Sequence, residues 1–157
     1  MIEIVKEYIY VFLCSMVPLI ELRGSILIGV GLDLPWLGNF FVSVVGNMLP
    51  VPFILLFIRR ILSWMHTTRH FHKIAEWLEK KAHSKSDRVV QYAVLGLVLF
   101  VGIPLPGTGA WTGALIAALL NMRMKYALPA IFAGVCLAGA IMCCAGYGLV
   151  SFLSFLL

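Results

Sequence analysis

Charge is scarce in this sequence. Lysine and arginine number 12 and aspartate and glutamate 7 among 157 residues, 12% in all, against about 25% in a soluble domain. That scarcity excludes an ordinary soluble fold, because so few charged side chains would leave most of the surface apolar. The solvent for such a surface is lipid, and a 62% hydrophobic content points to an integral membrane protein. Long polar stretches are missing as well: the longest, residues 59–88, is too short for a self-standing soluble core. The four cysteines, Cys14, Cys136, Cys143 and Cys144, lie in apolar runs and show no metal-ligand spacing, so they read as packing residues. Neither a basic leader region nor a small-residue cleavage site marks the N-terminus, which argues against a removed signal peptide. No nucleophile elbow or hydrolytic triad stands out, and the glycines at 107 and 109 have neither a preceding strand nor a following lysine to make a nucleotide fingerprint. The sequence therefore predicts no enzyme, no cofactor and no metal.

What charge there is clusters. Arg59, Arg60, Arg69, Lys73, Lys80, Lys81, Lys85 and Arg88 are eight of the twelve basic residues, and all four histidines lie among them. By the positive-inside rule this stretch is cytoplasmic. Phe71, Ile74, Ala75, Leu78 and Ala82 recur there at helical spacing, which predicts an amphipathic helix lying flat on the membrane and touching anionic lipid rather than nucleic acid. It divides the chain into a first membrane unit, residues 1–62, a basic linker, 63–88, and a second membrane unit, 89–157.

Four apolar stretches flank this linker in pairs: 8–32, 36–58, 89–122 and 126–157. The second suits one crossing helix. The third and fourth would run to roughly 50 Å as straight helices, beyond a hydrocarbon core of about 30 Å, so they must tilt, break or fold back. Pro104 and Pro106, with Gly107 and Gly109, supply a break in the third. Pro18-Leu19 recurs 86 residues later as Pro104-Leu105, which suggests that each unit is a re-entrant helical hairpin followed by a crossing helix. An odd number of crossings per unit makes the two units inverted repeats, an architecture of transporters. The expected fold is thus an all-α polytopic membrane protein, with Glu3, Lys6, Glu7 and Asp33 outside and Arg123 and Lys125 inside. Four simple crossings with proline kinks are the plainer alternative.

Glu21 and Arg23 are the strongest chemical signal, because either costs at least about 2.5–3.5 kcal/mol at the centre of a lipid-exposed helix. Each needs the other or a ligand. Two residues apart on an ideal helix they point about 200° away from one another, so a direct pair requires unwound backbone, for which Pro18 and Gly24 act as breakers. They form either an ion pair that fixes packing or a working site in which Glu21 couples transport to an ion and Arg23 holds an anion. At the second break, Thr108 stands where it would cap a helix through Ala110, Trp111 and Thr112, whose free amides, with Gly107 and Gly109, make an anion site. Gly109 and Gly113 equally form a small-residue packing face. Asn39, Asn47 and Gln91 interrupt the apolar runs; Asn47 either lines a cavity or bonds a neighbouring helix.

The segments Pro18-Leu-Ile-Glu21-Leu-Arg23-Gly24-Ser and Ile103-Pro-Leu-Pro-Gly-Thr108-Gly-Ala-Trp111-Thr-Gly113-Ala-Leu resemble the two signature stretches of the small multidrug export family of prokaryotic membrane proteins. That family is distantly similar to DedA-like proteins, which have paired re-entrant loops and include translocases of polyprenyl phosphate carriers. The resemblance implies transport and adds Glu21, Arg23, Thr108 and Trp111 as motif positions. The expectation is an inner-membrane, homodimeric, ion-coupled exporter of an anionic or amphipathic small molecule, which would bind Arg23, Gly107, Thr108, Gly109, Trp111 and Thr112. Translocation of a lipid phosphate and a non-transporting membrane scaffold are the alternatives.

Overall fold

A computed structural model describes residues 2–66, 87–105 and 107–156. The expected amphipathic linker helix falls mostly on residues 67–86, and the expected breaker Pro106 stands alone; both lie outside the described residues. Among the described residues every regular element is a helix: α1 (Ile2–Met16), α2 (Glu21–Gly31), α3 (Trp36–Met48), α4 (Pro50–His66), α5 (Asp87–Gly102), α6 (Ala110–Leu119) and α7 (Met124–Leu156). Two stretches are long and apolar enough to cross a bilayer, Trp36–Ile61 across α3 and α4, and Met124–Phe152 in α7. With the apolar composition, they mark a membrane protein.

The order short helix, break, short helix, long helix occurs twice. The first apolar stretch breaks at residues 17–20 and the third at 103–109. Gly24, expected to help break the first, instead lies inside α2, where a β-carbon would press on Ile20. The break is therefore confined to the turn that holds Pro18. The fourth stretch does not break: α7 is one helix of 33 residues. It contains Pro129 in its second turn, where the missing amide deletes a single backbone bond near the helix end. In the second stretch, Leu49 separates α3 from α4 at Pro50, yet the Leu49 amide still donates to the Val45 carbonyl at 3.1 Å, so the long helix bends without parting.

The two short-helix hairpins end in the same way. At the end of α2 the amide of Leu34 donates to the carbonyl of Gly29 at 3.0 Å across Asp33, whose φ is 55°. At the end of α6 the amide of Met122 donates to Ala117 at 2.9 Å across Asn121, whose φ is 50°. Both are Schellman-type stops with Asp or Asn in the left-handed conformation that short polar side chains tolerate. The following apolar residues, Leu34 and Met122, are both buried, as that cap prefers.

Packing interlocks the halves. α1 lies on α3 as α5 lies on α7, while α2 packs on α7 and α6 packs on α4. Each short second helix thus rests on the long helix of the other half. Small residues permit this: Ala110, Gly113, Ala114, Ala117 and Ala118 form the buried stripe of α6, letting backbones approach closely. A β-carbon on Gly113 would meet Val101 of α5. One buried polar side chain is tied on both sides inside the bundle: Asn39 donates to the Ile26 carbonyl and to the Tyr147 hydroxyl, each at 2.9 Å, and that hydroxyl donates to the Leu34 carbonyl at 2.7 Å. Asn39 is therefore an interhelical tie between α2, α3 and α7.

Candidate functional site

The interlocked packing brings the two breaks together. Glu21 opens α2 with φ 49°, a conformation that costs a residue with a β-carbon roughly 1–2 kcal/mol. Strain of this kind persists only where surrounding contacts hold it. Here the contact is the second break: the Glu21 carboxylate is buried and its Oε1 accepts the backbone amide of Trp111 at 3.3 Å, in the first turn of α6. A β-carbon on Gly109 would overlap that carboxylate, so glycine is what lets the acid reach the helix end. The free amides of α6 thus meet a negative charge supplied by the chain itself.

Arg23, one half-turn further along α2, grips the loop before α6. Its guanidinium donates to the carbonyl oxygen of Leu105, to that of Ile103 at 3.2 Å, and to Thr108 Oγ1 at 2.6 Å. The two carbonyls precede Pro104 and Pro106 in sequence, and residues before proline are kept out of helical backbone, so their oxygens stand free of a helix ladder. A planar donor fork matches such a divergent set of acceptors. Thr108 completes the turn, its hydroxyl hydrogen lying between the carbonyls of Ile103, 2.8 Å, and Leu105, 2.9 Å.

This differs from the expected role of Thr108. The residue before α6 is Gly109, and no side chain caps the helix; the Thr108 hydroxyl is drawn instead into the carbonyl cluster that Arg23 organises. Nor do Glu21 and Arg23 pair directly, since among the described residues the ion pair within 4.0 Å joins Lys6 to Glu3. Both reach the second break separately. A third tie comes from Trp111, whose indole N–H donates to the carbonyl of Met16 at the end of α1, 3.2 Å away.

Glu21, Arg23, Thr108, Gly109 and Trp111 therefore come together, bridging positions 85 to 90 apart in sequence. Gly107 and Thr112 do not join them. Gly107 has φ 84° and open space around it, and the Thr112 hydroxyl donates back to Gly109 at 3.2 Å. Pro18 and Pro104 shape the two turns without touching the other half in any hydrogen bond among the described residues. One neighbour of the site carries a clear polar signal in the sequence but no sign of where it points. Asn47 of α3, fully buried, lines a small cavity with Glu21, Leu22, Arg23, Gly109 and Ala110. A wider, apolar cavity of about 560 Å³ lies elsewhere, between Trp36 and Phe40 of α3 and the Ala140–Ser151 end of α7. It shares no lining residue with the cavity at the breaks.

No curated protein and no solved structure matches the chain. One family model does match, over residues 21–141, a span that begins at the buried acid, contains both the Arg23 clamp and its acceptors, and runs into the long helix behind them. The chain thus belongs to the family described as "putative small multi-drug export protein".

Proposed function

We propose that this chain is a small multi-pass exporter of the cell inner membrane that moves an anionic or amphipathic molecule past the junction of its two breaks, with Glu21 as the ion-coupling carboxylate. The observation that carries the reading is the cross-half lock itself: an acid from one half held by a helix-end amide of the other, beside a guanidinium held by the other half's carbonyls and the Thr108 hydroxyl. Lengths support re-entry. At 1.5 Å per residue, α1, α2, α5 and α6 reach roughly 15–24 Å, each short of a hydrocarbon core of about 30 Å, so each pair dips in and returns. Two such hairpins, each followed by one long helix, are inverted with respect to one another. Arg59 and Arg60 at the end of the first long helix then face the same, cytoplasmic side as Arg123 and Lys125.

The lock is the closed state of the passage. While Glu21 is ionised it holds the amide of Trp111 and keeps α6 seated against α2. When Glu21 takes up the coupling ion, that amide loses its charged acceptor, and a charge-assisted hydrogen bond falls to an ordinary one. The Ile103 to Gly109 loop can then leave Arg23, whose guanidinium meets the negative group of the substrate in place of the carbonyls. Arg23 also disfavours cationic cargo by plain repulsion.

The test is transport in proteoliposomes, with a panel of lipophilic anions and cations and an imposed ion gradient. Glu21→Gln keeps the size of the side chain and one oxygen to accept the Trp111 amide, but cannot be charged. It is expected to abolish gradient-driven movement while the protein elutes as a folded species; gradient-driven transport at the wild-type rate would remove Glu21 from the mechanism.

A further inference from the structure

Asn47 is 1% exposed, and its Oδ1 is buried without a hydrogen-bond donor. An orphaned acceptor of that kind is destabilising, and it is a poor choice for an apolar helix unless something arrives to satisfy it. The cavity that Asn47 lines has a volume of about 10 Å³, the size of a single water. Glu21 lines the same cavity. Oε1 of its carboxylate already accepts the Trp111 amide, so Oε2 is the oxygen with capacity to spare. An ionised carboxylate is acceptor-only, so neither the Glu21 carboxylate nor the orphaned Asn47 oxygen, in residues that line one small cavity, brings a hydrogen of its own.

We propose that Asn47 receives the proton that Glu21 carries, its Oδ1 accepting the carboxyl O–H directly or through one water. This rests on the reading of Glu21 as the coupling carboxylate and names the coupling ion as a proton. The proton comes from the aqueous phase, bonds to Oε2 of Glu21, and is hydrogen-bonded by Oδ1 of Asn47; on release it returns to water and the oxygen of Asn47 is again without a donor. The protonated state therefore gains a hydrogen bond in the same step in which the amide of Trp111 loses its anion.

A metal cation suits the site less. Hard cations gather six or more oxygens, whereas the side chains here supply one carboxylate and one amide oxygen among Leu22, Val101, Ala110, Val135 and Ala138. The charged group facing Glu21 in the cavity is Arg23 of its own helix; α3, α5, α6 and α7 contribute Asn47 and apolar or glycine residues. A second full positive charge would sit against that guanidinium.

Infrared difference spectra of the purified protein, recorded between acid and neutral pH, read this directly. The protonated-carboxyl band that disappears in Glu21→Gln belongs to Glu21. In Asn47→Leu that band is expected at higher frequency, because its O–H has lost the acceptor; an unshifted band overturns the proposal. Folding of Asn47→Leu need not be assumed, since a second measurement leaves Asn47 in place. With asparagine carbonyls labelled with ¹³C, acidification is expected to shift one amide band in wild type and none in Glu21→Gln, and identical spectra from the two proteins again overturn it. Replacing choline by sodium at fixed pH is expected to leave the Glu21 band in place; its loss would assign the site to sodium instead. Failure of the coupling reading is distinguishable, since Glu21→Gln would then transport at the wild-type rate, or the wild-type chain would not transport at all, while the Asn47-dependent band shift persists.

Discussion

Replacement of Arg23 by alanine is expected to reduce coupled transport to background and to lower the unfolding free energy in detergent by roughly 2–5 kcal/mol. The size follows from what the guanidinium does. It serves three acceptors, the carbonyls of Leu105 and Ile103 and the hydroxyl of Thr108, and a hydrogen bond to a charged group contributes about 1.5–3 kcal/mol, less where the partners are partly exposed. Removing it leaves the two proline-preceding carbonyls only their local donors, the Leu105 and Thr108 amides and the Thr108 hydroxyl, and frees the loop that positions α6 from α2. Lysine is not expected to rescue. Its ammonium is a single point on a flexible stem and cannot satisfy three divergent acceptors at once. Glutamine keeps a donor without the charge and should restore part of the stability with little of the transport. Full activity in Arg23→Ala, measured in the proteoliposome assay, would show that the grip on the second break is incidental.

The second large effect is at Gly109. A β-carbon there overlaps the Glu21 carboxylate, and the backbone is extended, with φ 170°, so the cost is steric rather than conformational. Overpacking of a close contact costs about 1–3 kcal/mol, and here the displaced group also carries the bond to Trp111. Gly109→Ala is expected to lose most coupled transport. Gly107→Ala makes the control: φ is 84° but nothing lies within 4 Å, so only the left-handed backbone is penalised, by roughly 1 kcal/mol, and transport should survive. Because the clash belongs to one pair, Gly109→Ala combined with Glu21→Asp, which withdraws the carboxylate by one methylene, should be less damaging to folding than the sum of the two single changes. Strict additivity of the unfolding free energies would place the Gly109 effect somewhere other than on Glu21.

The residues of this site were legible one at a time, and their connections were not. Burial cost alone singles out Glu21 and Arg23, and the proline and glycine run from 104 to 109 announces a break, because both signals are local. What Arg23 would hold is a tertiary fact: its partners are chiefly backbone carbonyls 80 and 82 positions away, and a carbonyl has no letter in the sequence. The same gap misdirected Thr108, which has the composition of a helix cap but found a stronger claim in the guanidinium and the carbonyls beside it. Gly24 reads as a breaker because glycine lowers helix propensity by only about 1 kcal/mol, too little to end α2 against the packing of Leu22, Ser25 and Ile26. The matching stops at Asp33 and Asn121 carry a weaker local signal, since glycine is the usual residue of that cap and a short polar residue before a buried apolar one is its less common form. Asn47 stood out as polar, but its bearing on Glu21 depends on how α3 is turned, which no local pattern of so apolar a helix records.

Everything proposed for the site presumes that the two hairpins enter from opposite sides of the bilayer and meet within it. Sidedness of two turns decides that. In a chain whose four native cysteines have been replaced, single cysteines at Asp33 and at Lys125, both exposed, are labelled in intact cells and in inverted vesicles with a membrane-impermeant thiol reagent. Inverted re-entrant halves predict that the cysteine at 33 reacts from outside and the one at 125 from the cytoplasm. Reaction of both from the same side means that residues 89–122 cross the membrane outright, and the second break is then a kink in a crossing helix rather than the tip of a re-entrant hairpin.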